Sequence, residues 1–281
     1  MIRNVLSIAG SDPSGGAGVQ ADLKTFAACR VYGMAVLTAL TAQNTQGVSD
    51  VHALPAEFVA DQIAMVFADI RVDAVKIGMI ANGKIAAAVA EQLTPRRGLP
   101  VVLDPVMIAK GGAPLLDPEA VSVLRQSLMP IATLLTPNLP EAAALLGEPV
   151  ARNRAEMAGQ ACRLRALGPS AVLVKGGHLA GDGSPDVMAS AGGVTWFEAD
   201  RVPTRRTHGT GCTLSSALAA ELAKGVAPVD AIDRAKRYLT AAIGAADQLS
   251  VGSGHGPVHH FHQLWSKSRQ DAAEPPVSRR Q

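Results

Sequence analysis

The stretch Val5-Leu6-Ser7-Ile8-Ala9-Gly10-Ser11-Asp12-Pro13-Ser14-Gly15-Gly16-Ala17-Gly18 carries the change of rhythm that decides the fold. Residues 5–9 form a short apolar run, the pattern of a strand buried on both faces. A glycine-rich loop ends the run, and residues 18–30 read as a helix. The same strand–loop–helix unit recurs outward from this point. Residues 33–39 are a second apolar segment, and residues 56–68 place Phe58, Val59, Ile63, Val66 and Phe67 at helical spacing. Strands are predicted at 74–77, 101–103, 133–135 and 172–174. Helices are predicted at 83–93, 119–128, 139–146, 155–167, 214–224 and 229–249. Residues 186–190 and 194–198 flank Ala191-Gly192-Gly193 and read as a hairpin. Continuous apolar strands separated by helices predict an α/β fold, a three-layer αβα sandwich around a mostly parallel central sheet.

No linker interrupts the pattern, so residues 1–265 are read as a single domain. Residues 266–281 are polar, contain Pro275-Pro276 and lack periodicity, which predicts a disordered tail. The chain has 281 residues, 48% of them hydrophobic, enough to bury a full core and to exclude global disorder. The 26 basic and 24 acidic side chains leave a net charge of +2. All of that excess sits in the tail, where Lys267, Arg269, Arg279 and Arg280 face only Asp271 and Glu274. The body is balanced, so no nucleic-acid surface is expected. No apolar stretch reaches 18 residues, so no membrane span is expected either. Cys29, Cys162 and Cys212 are odd in number and widely spaced, and the N-terminus lacks a signal-peptide pattern. Both point to a reducing cytoplasm.

Ligands of open α/β sheets bind at the carboxyl ends of the strands, so the polar residues after each strand are the candidates. The first loop is not a Walker A loop, because no Gly-Lys-Ser/Thr closes it. Gly16-Ala17-Gly18-Val19-Gln20-Ala21 matches a dinucleotide pattern, but no acidic residue lies between Lys24 and Asp50 to hold a ribose. Asp22 and Gln43 together suit a heteroaromatic ring, since a Gln amide offers a donor and an acceptor side by side. Singly, each reads equally as a surface residue or cap.

Thr207-His208-Gly209-Thr210-Gly211-Cys212 is the strongest local signal. Its glycines precede a helix whose first N–H groups and dipole converge on one point, an anion hole for a transferring phosphoryl group. Cys212 stands at the helix start, where thiol pKa values fall, and is a candidate general base or nucleophile. The alternative is a buried structural cysteine. Asp104, Asn138 and Glu141 present oxygen ligands suited to Mg²⁺, while the 138/141 spacing fits a helix capping box equally well. Lys175 ends a strand, either to neutralise phosphates or to snorkel to solvent. His255, His259, His260 and His262 lack a metal-site pattern and are read as a C-terminal closure with Phe261 and Trp265.

Taken together these segments resemble the hydroxymethylpyrimidine/phosphomethylpyrimidine kinases of the ribokinase-like superfamily. The resemblance runs from the 7–22 segment through Thr41-Ala42-Gln43-Asn44-Thr45, Lys76-Ile77-Gly78-Met79, Leu103-Asp104-Pro105-Val106-Met107 and Thr136-Pro137-Asn138-Leu139-Pro140-Glu141. It continues in Lys175-Gly176-Gly177-His178, His208-Gly209-Thr210-Gly211-Cys212 and Gly256-Pro257-Val258-His259-His260-Phe261, and so spans residues 5–265. It implies ATP-dependent phosphorylation of 4-amino-5-hydroxymethyl-2-methylpyrimidine and then of its monophosphate, for thiamine biosynthesis. It implies that Gln43, Asp22, Gly10, Met79 and Val106 surround the pyrimidine, and that Cys212 is the catalytic base beside Gly209, Thr210 and Gly211. It further implies that Lys175, Gly177 and Thr207 lie on the nucleotide side, that Asp104, Asn138 and Glu141 organise Mg²⁺, and that the chain forms a homodimer. Most ribokinase-like kinases have Asp at the position of Cys212. The rival readings are a pyridoxal or pyridoxine kinase on the same scaffold and a non-catalytic pyrimidine sensor.

Overall fold

The structure is a computed structural model and describes residues 1–107 and 118–265. The tail predicted at 266–281 lies outside the described residues. The first strand, β1 (Asn4–Ser11), alternates its side chains between two helical layers. Leu6 and Ile8 face one layer, while Val5 and Ser7 face the other. A continuous apolar run is therefore two apolar faces interleaved, which is why no polar alternation marks it.

Among the described residues nine strands form one sheet in the order β3-β2-β1-β4-β5-β6-β7-β8-β9. The parallel body comprises β1, β2 (Tyr32–Gln43), β4 (Ala74–Ile77), β5 (Val101–Leu103), β6 (Leu134–Leu135) and β7 (Ala171–Val174). Antiparallel strands close both sides: β3 (Val48–Ala53) on β2, and the predicted hairpin β8 (Asp186–Ser190) with β9 (Gly193–Phe197) on β7. The chain leaves β1 for β2 on one side and returns to β4 on the other. The order thus reverses at β1 and opens a crevice at the carboxyl ends of the strands.

One face is covered by α1 (Gly18–Ala28), α7 (Thr210–Ala223) and α8 (Pro228–Gly244), whose Phe26, Leu214, Leu218 and Ile232 pack on Val5, Val102 and Leu173. The other is covered by α2 (Ala56–Asp69), α3 (Gly83–Leu93), α4 (Pro118–Val123), α5 (Leu139–Leu146) and α6 (Arg154–Arg165). There Ile63, Ile85, Val89 and Leu164 pack on Leu6, Ile8, Ile77 and Leu103. Each such fully buried aliphatic side chain contributes about 1.5–3 kcal/mol relative to exposure. The expected three-layer αβα sandwich is the observed architecture.

Several local expectations differ from the structure. Strand β3 has no counterpart in the prediction. It is an edge strand in which apolar Val48, Val51 and Ala53 sit among Ser49, Asp50 and His52, too weak a pattern to stand out. Its pairing with β2 draws the polar residues up to Gln43 into a strand, turned by Asn44, whose side chain accepts the amides of Gln46 and Gly47. The helix expected at 119–128 is instead α4 followed by a π turn at Leu124–Leu128 and a 3₁₀ turn at Met129–Ile131. Pro130 has no amide to continue the ladder. The helix expected at 229–249 ends at Gly244 and continues as a 3₁₀ turn, Ala246–Gln248.

His259, His260 and His262 pack as a closure with Phe261 and Trp265, whereas His255 is exposed. The Phe261 and Trp265 ring centroids lie 5.0 Å apart, and those of His259 and Trp265 5.4 Å apart. His260 is buried, and its Nε2 lies 3.1 Å from Thr213 Oγ1, which donates to the Gly209 carbonyl. Burial, reinforced by nearby Lys24, drops His260 to about 3. The unfolded chain, with a pKa of about 6.5, therefore binds more protons between pH 6.5 and 3, and stability falls as pH drops through that window. By pH 5 the expected loss is about 2 kcal/mol. Urea unfolding should show most of this slope in the native chain and little of it in His260→Gln; equal slopes would contradict the assignment.

Candidate functional site

The candidate loops after β1, β4, β5, β6 and β7 follow parallel strands and so reach the same edge of the sheet, where residues 207–212, which follow the antiparallel hairpin, join them. Gly10, Ser11 and Asp12 end β1, Met79 follows β4, Asp104 and Val106 follow β5, Asn138 and Glu141 follow β6, and Lys175 follows β7. These residues line a cavity of about 430 Å³ together with the loop that opens α7. Among the described lining residues there is no Phe, Tyr or Trp, so a ring bound there is held by edge contacts and aliphatic neighbours.

The two glycine-rich loops interlock across the crevice. Asp12 accepts from the Ser14 and Ala17 amides and the Ser14 hydroxyl, and pairs with His208 Nε2 at 2.7 Å. Burial alone would raise the Asp12 pKa, but the His208 and Ser14 hydrogen bonds outweigh it and hold it down at about 2. Gly209 takes φ +77°, and a Cβ there would lie 1.8 Å from the Gly16 carbonyl oxygen, so no other residue fits without moving the first loop. Likewise a Cβ on Gly10 would lie 2.2 Å from Met79 Cε.

Helix α7 starts at Thr210, earlier than its apolar residues suggest, which puts Gly211 and Cys212 inside the first turn. The first amides of a helix have no intrahelical partners and carry the positive end of its dipole. The helix start was expected to depress the Cys212 thiol, and the structure reverses that expectation. Burial dominates and pushes the thiol up to about 11, although the Lys76 charge and a hydrogen bond from the Gly18 amide oppose it.

On the ring side, Gln43 Oε1 accepts from Thr41 Oγ1 at 3.1 Å, and its Nε2 lies 3.5 Å from His208 Nε2. Asp22 is not brought to the cavity. Its side chain is fully buried and engaged by Ser7, Lys76 and Ser216 at 2.6–2.9 Å. Its acceptors are spent on the core, so it lies beneath the site and makes no direct contact with the cavity. Lys76 takes the place expected of Asp22 in the lining. Desolvation disfavours the Lys76 charge, but Asp22 beside it outweighs that and keeps its pKa above the ordinary value.

On the phosphate side, Lys175 Nζ lies 2.8 Å from Asp104 Oδ1 and 3.9 Å from Glu141 Oε2. Asn138 and Glu141 form a complete capping box for α5, so the spacing that suggested metal ligands also has a structural cause. Burial, and next Asp104, push the Glu141 carboxyl up against the pull of Lys175, to about 7. Lys175 keeps a raised pKa because Asp104 and Glu141 outweigh its own desolvation. Among the described residues no group of three or more His, Cys, Asp or Glu side chains is set to hold a metal ion.

A second cavity, about 320 Å³, adjoins the first across Asn138, Lys175, His178, Thr207, Thr210 and Gly211. Gly177 and Thr207 line it, and so do the apolar Val202, Leu239 and Ile243. Two compartments therefore meet over the first turn of α7, one lined by Gln43 and Cys212, the other by Gly177 and Ser184, with Thr207 shared between them. Such an arrangement can bring a nucleophile and a phosphoryl donor to one set of amides.

Sequence reasoning missed the Lys76–Asp22 pair and the Asp12–His208 bridge as parts of the site. A lysine inside the buried run Ala74-Val75-Lys76-Ile77 was the available signal, because it demands a buried carboxylate nearby.

The phosphomethylpyrimidine kinase family model matches residues 12–259. A hydroxymethylpyrimidine/phosphomethylpyrimidine kinase of Escherichia coli is 54% identical over 262 residues, covering 93% of this chain and 98% of that one. A thiamine biosynthesis bifunctional protein of Geobacter sulfurreducens is 52% identical over 258 residues, 92% of this chain and 52% of that protein. The crystal structure of an ADP complex of Bacillus subtilis pyridoxal kinase superposes with a TM-score of 0.85 at 36% identity, covering 94% of this chain and 99% of that one. No helix among the described residues is long and apolar enough to cross a membrane.

Proposed function

The chain belongs to the phosphomethylpyrimidine kinase family, and on that premise we propose how its crevice transfers a phosphoryl group. The reaction moves the γ-phosphoryl group of ATP to the hydroxymethyl oxygen of 4-amino-5-hydroxymethyl-2-methylpyrimidine. A second ATP phosphorylates the monophosphate, and the diphosphate serves thiamine biosynthesis. The observation that carries this reading is the meeting of two cavities over the first turn of α7. The pyrimidine occupies the cavity of Gln43, Gly10, Met79 and Val106, and ATP that of Gly177 and Thr207.

Phosphoryl transfer needs little covalent chemistry from the protein, so positioning and electrostatics do the work. Gln43 pairs with the aminopyrimidine edge through its amide. Cys212 takes the hydroxymethyl proton as the oxygen attacks the γ-phosphorus. The amides of Gly209, Thr210, Gly211 and Cys212 hold the charge of the transferring group. Lys175 neutralises phosphate on the nucleotide side. Asp104 and Glu141 lie buried beside Lys175, and with Asn138 they form an oxygen donor set of the kind that fits a divalent cation. Mg²⁺ entering with ATP would be held there through water by Asp104, Asn138 and Glu141, and would supply charge neutralisation on the phosphates.

A coupled ADP-release assay over the pyrimidine alcohol, its monophosphate and pyridoxal tests the reading. Two ADP per pyrimidine alcohol are expected. Turnover of pyridoxal alone would favour the vitamin B6 kinase reading, and no turnover at all the sensor. Gln43→Ala should raise the KM for the pyrimidine about tenfold or more, the scale of one or two lost hydrogen bonds, with the KM for ATP nearly unchanged. Equal effects on both would remove Gln43 from the ring site. The reading includes a homodimer, supported by the exposed edge strand β9 with Val194 on its surface. Light scattering at twice 28.9 kDa is the expected result, and a monomer mass would contradict it.

A further inference from the structure

Residues 176–185 join β7 to β8 and form a wall of the second cavity, to which Gly177, His178 and Ser184 contribute. The segment has glycine at 176, 177, 181 and 183, so by composition it is costly to order. Its carbonyls nevertheless converge on one cation. Arg201, in the segment after β9, donates from Nη1 to the Gly177 carbonyl at 2.7 Å, and from Nη2 to those of Leu179 at 2.8 Å and Gly183 at 3.1 Å. Its Nε donates to the Gly181 carbonyl at 3.2 Å, and its own amide to that of Asp182 at 2.9 Å. The ends of the loop are pinned separately. Asp186 accepts the Gly176 amide at 2.9 Å, and Lys236 of α8 donates to the Ser184 carbonyl at 2.7 Å. The middle of the loop is thus gathered around a single guanidinium.

We infer that Arg201 is a positioning residue for the nucleotide, holding the 176–185 loop in the shape that receives a nucleoside triphosphate. The inference rests on the assignment of the second cavity to ATP. Arg201 meets the ordering cost of a glycine-rich wall before the nucleotide arrives, which is preorganisation in the ordinary sense. A planar fork can serve four carbonyls at once, whereas a lysine ammonium is a point charge with three donors. Arg201 is an exposed residue at the lining of the second cavity, so its loss hands the carbonyls to water without leaving them unsatisfied in the core. The fold therefore survives the substitution, and the effect falls on loop order.

The test combines steady-state kinetics with hydrogen exchange on the full chain. In Arg201→Ala, the KM for ATP should rise roughly tenfold, the scale of ordering about one further residue on binding. The kcat at saturating ATP and the KM for the pyrimidine alcohol should stay at their native values. Amides of residues 177–183 should exchange faster in the free variant and slow again with saturating ADP. Arg201→Lys should fall between the two. Unchanged exchange, faster exchange with an unchanged KM for ATP, or a joint loss of kcat and both KM values would each overturn the positioning role. The native chain with ADP separates the two readings. If ADP does not slow exchange at 177–183, the nucleotide cavity is misassigned and both readings fall. If it does while Arg201→Ala behaves as native, only the role of Arg201 falls.

Discussion

Replacing Cys212 by alanine is expected to lower kcat about a hundredfold or more while leaving the KM for ATP near its native value. The thiol stands in the first turn of α7, beside the amides proposed to hold the transferring phosphoryl group, and lines the same cavity as Gln43. Alanine preserves the helix and its dipole and removes only the proton acceptor. The pH dependence sharpens the test. Burial pushes the thiol up to about 11, so at neutral pH the thiolate is a small fraction that grows as pH rises. A base requires the deprotonated form, so kcat of the native chain should climb between pH 7 and 9, whereas Cys212→Ala should be flat over that range. Near-native turnover in the variant, or a flat native profile, would remove Cys212 from the role of base.

The second large effect is on stability and comes from below the site. Lys76→Met leaves the Asp22 carboxylate fully buried without its cation. Removing one partner of a buried ion pair costs about 3–5 kcal/mol, mostly from the uncompensated charge left behind. A melting midpoint lower by roughly 10 °C or more is the matching thermal readout. The double variant Lys76→Met/Asp22→Asn should recover most of the loss, because a neutral amide in place of the carboxylate needs no cation and can still bond Ser7 and Ser216.

A single variant within about 1 kcal/mol of the native chain would show that the pair is not desolvated as described. The pair also bears on chemistry. Ser216, bonded to Asp22, lies one helical turn beyond Cys212, and the Lys76 charge is among the influences that oppose the upward push on the thiol. The buried pair thus couples the stability of the sheet to the electrostatics of the cavity floor.

How much was legible beforehand follows from the kind of signal each element carries. The strands of the parallel body were readable because burial on both faces demands uninterrupted apolar residues, as in Val101-Val102-Leu103 and Ala171-Val172-Leu173-Val174. The hairpin of β8 and β9 was readable from its glycine turn. Strand β3 was not, because an edge strand needs only half of its side chains buried. The loop residues after the parallel strands were legible as a set, since strand ends converge by topology, whereas residues 207–212 were legible from their glycines ahead of a helix.

Local sequence left two roles open at several of these positions, and only the tertiary structure distinguishes what surrounds each side chain. Asn138 and Glu141 fit a capping box and a metal shell equally by spacing, and the hydrogen bonds establish the box. Cys212 at a helix start suggested a lowered thiol pKa, and the depth of the surrounding protein reverses the sign. Asp22 looked like a pocket residue, yet the alternation of β1 and β4 turns Ser7 and Lys76 toward it and closes it off.

By itself the sequence determined the layered α/β architecture, the order of the motifs and the edge of the sheet on which they gather. Hydrophobic period and loop chemistry are local properties, readable within ten or fifteen residues. The tertiary structure alone decided which charges face water and which face each other. Desolvation and pairing depend on neighbours brought from 54 positions away, as Lys76 is to Asp22, or 196, as His208 is to Asp12. In a low-dielectric crevice those neighbours govern protonation more strongly than position along a helix does.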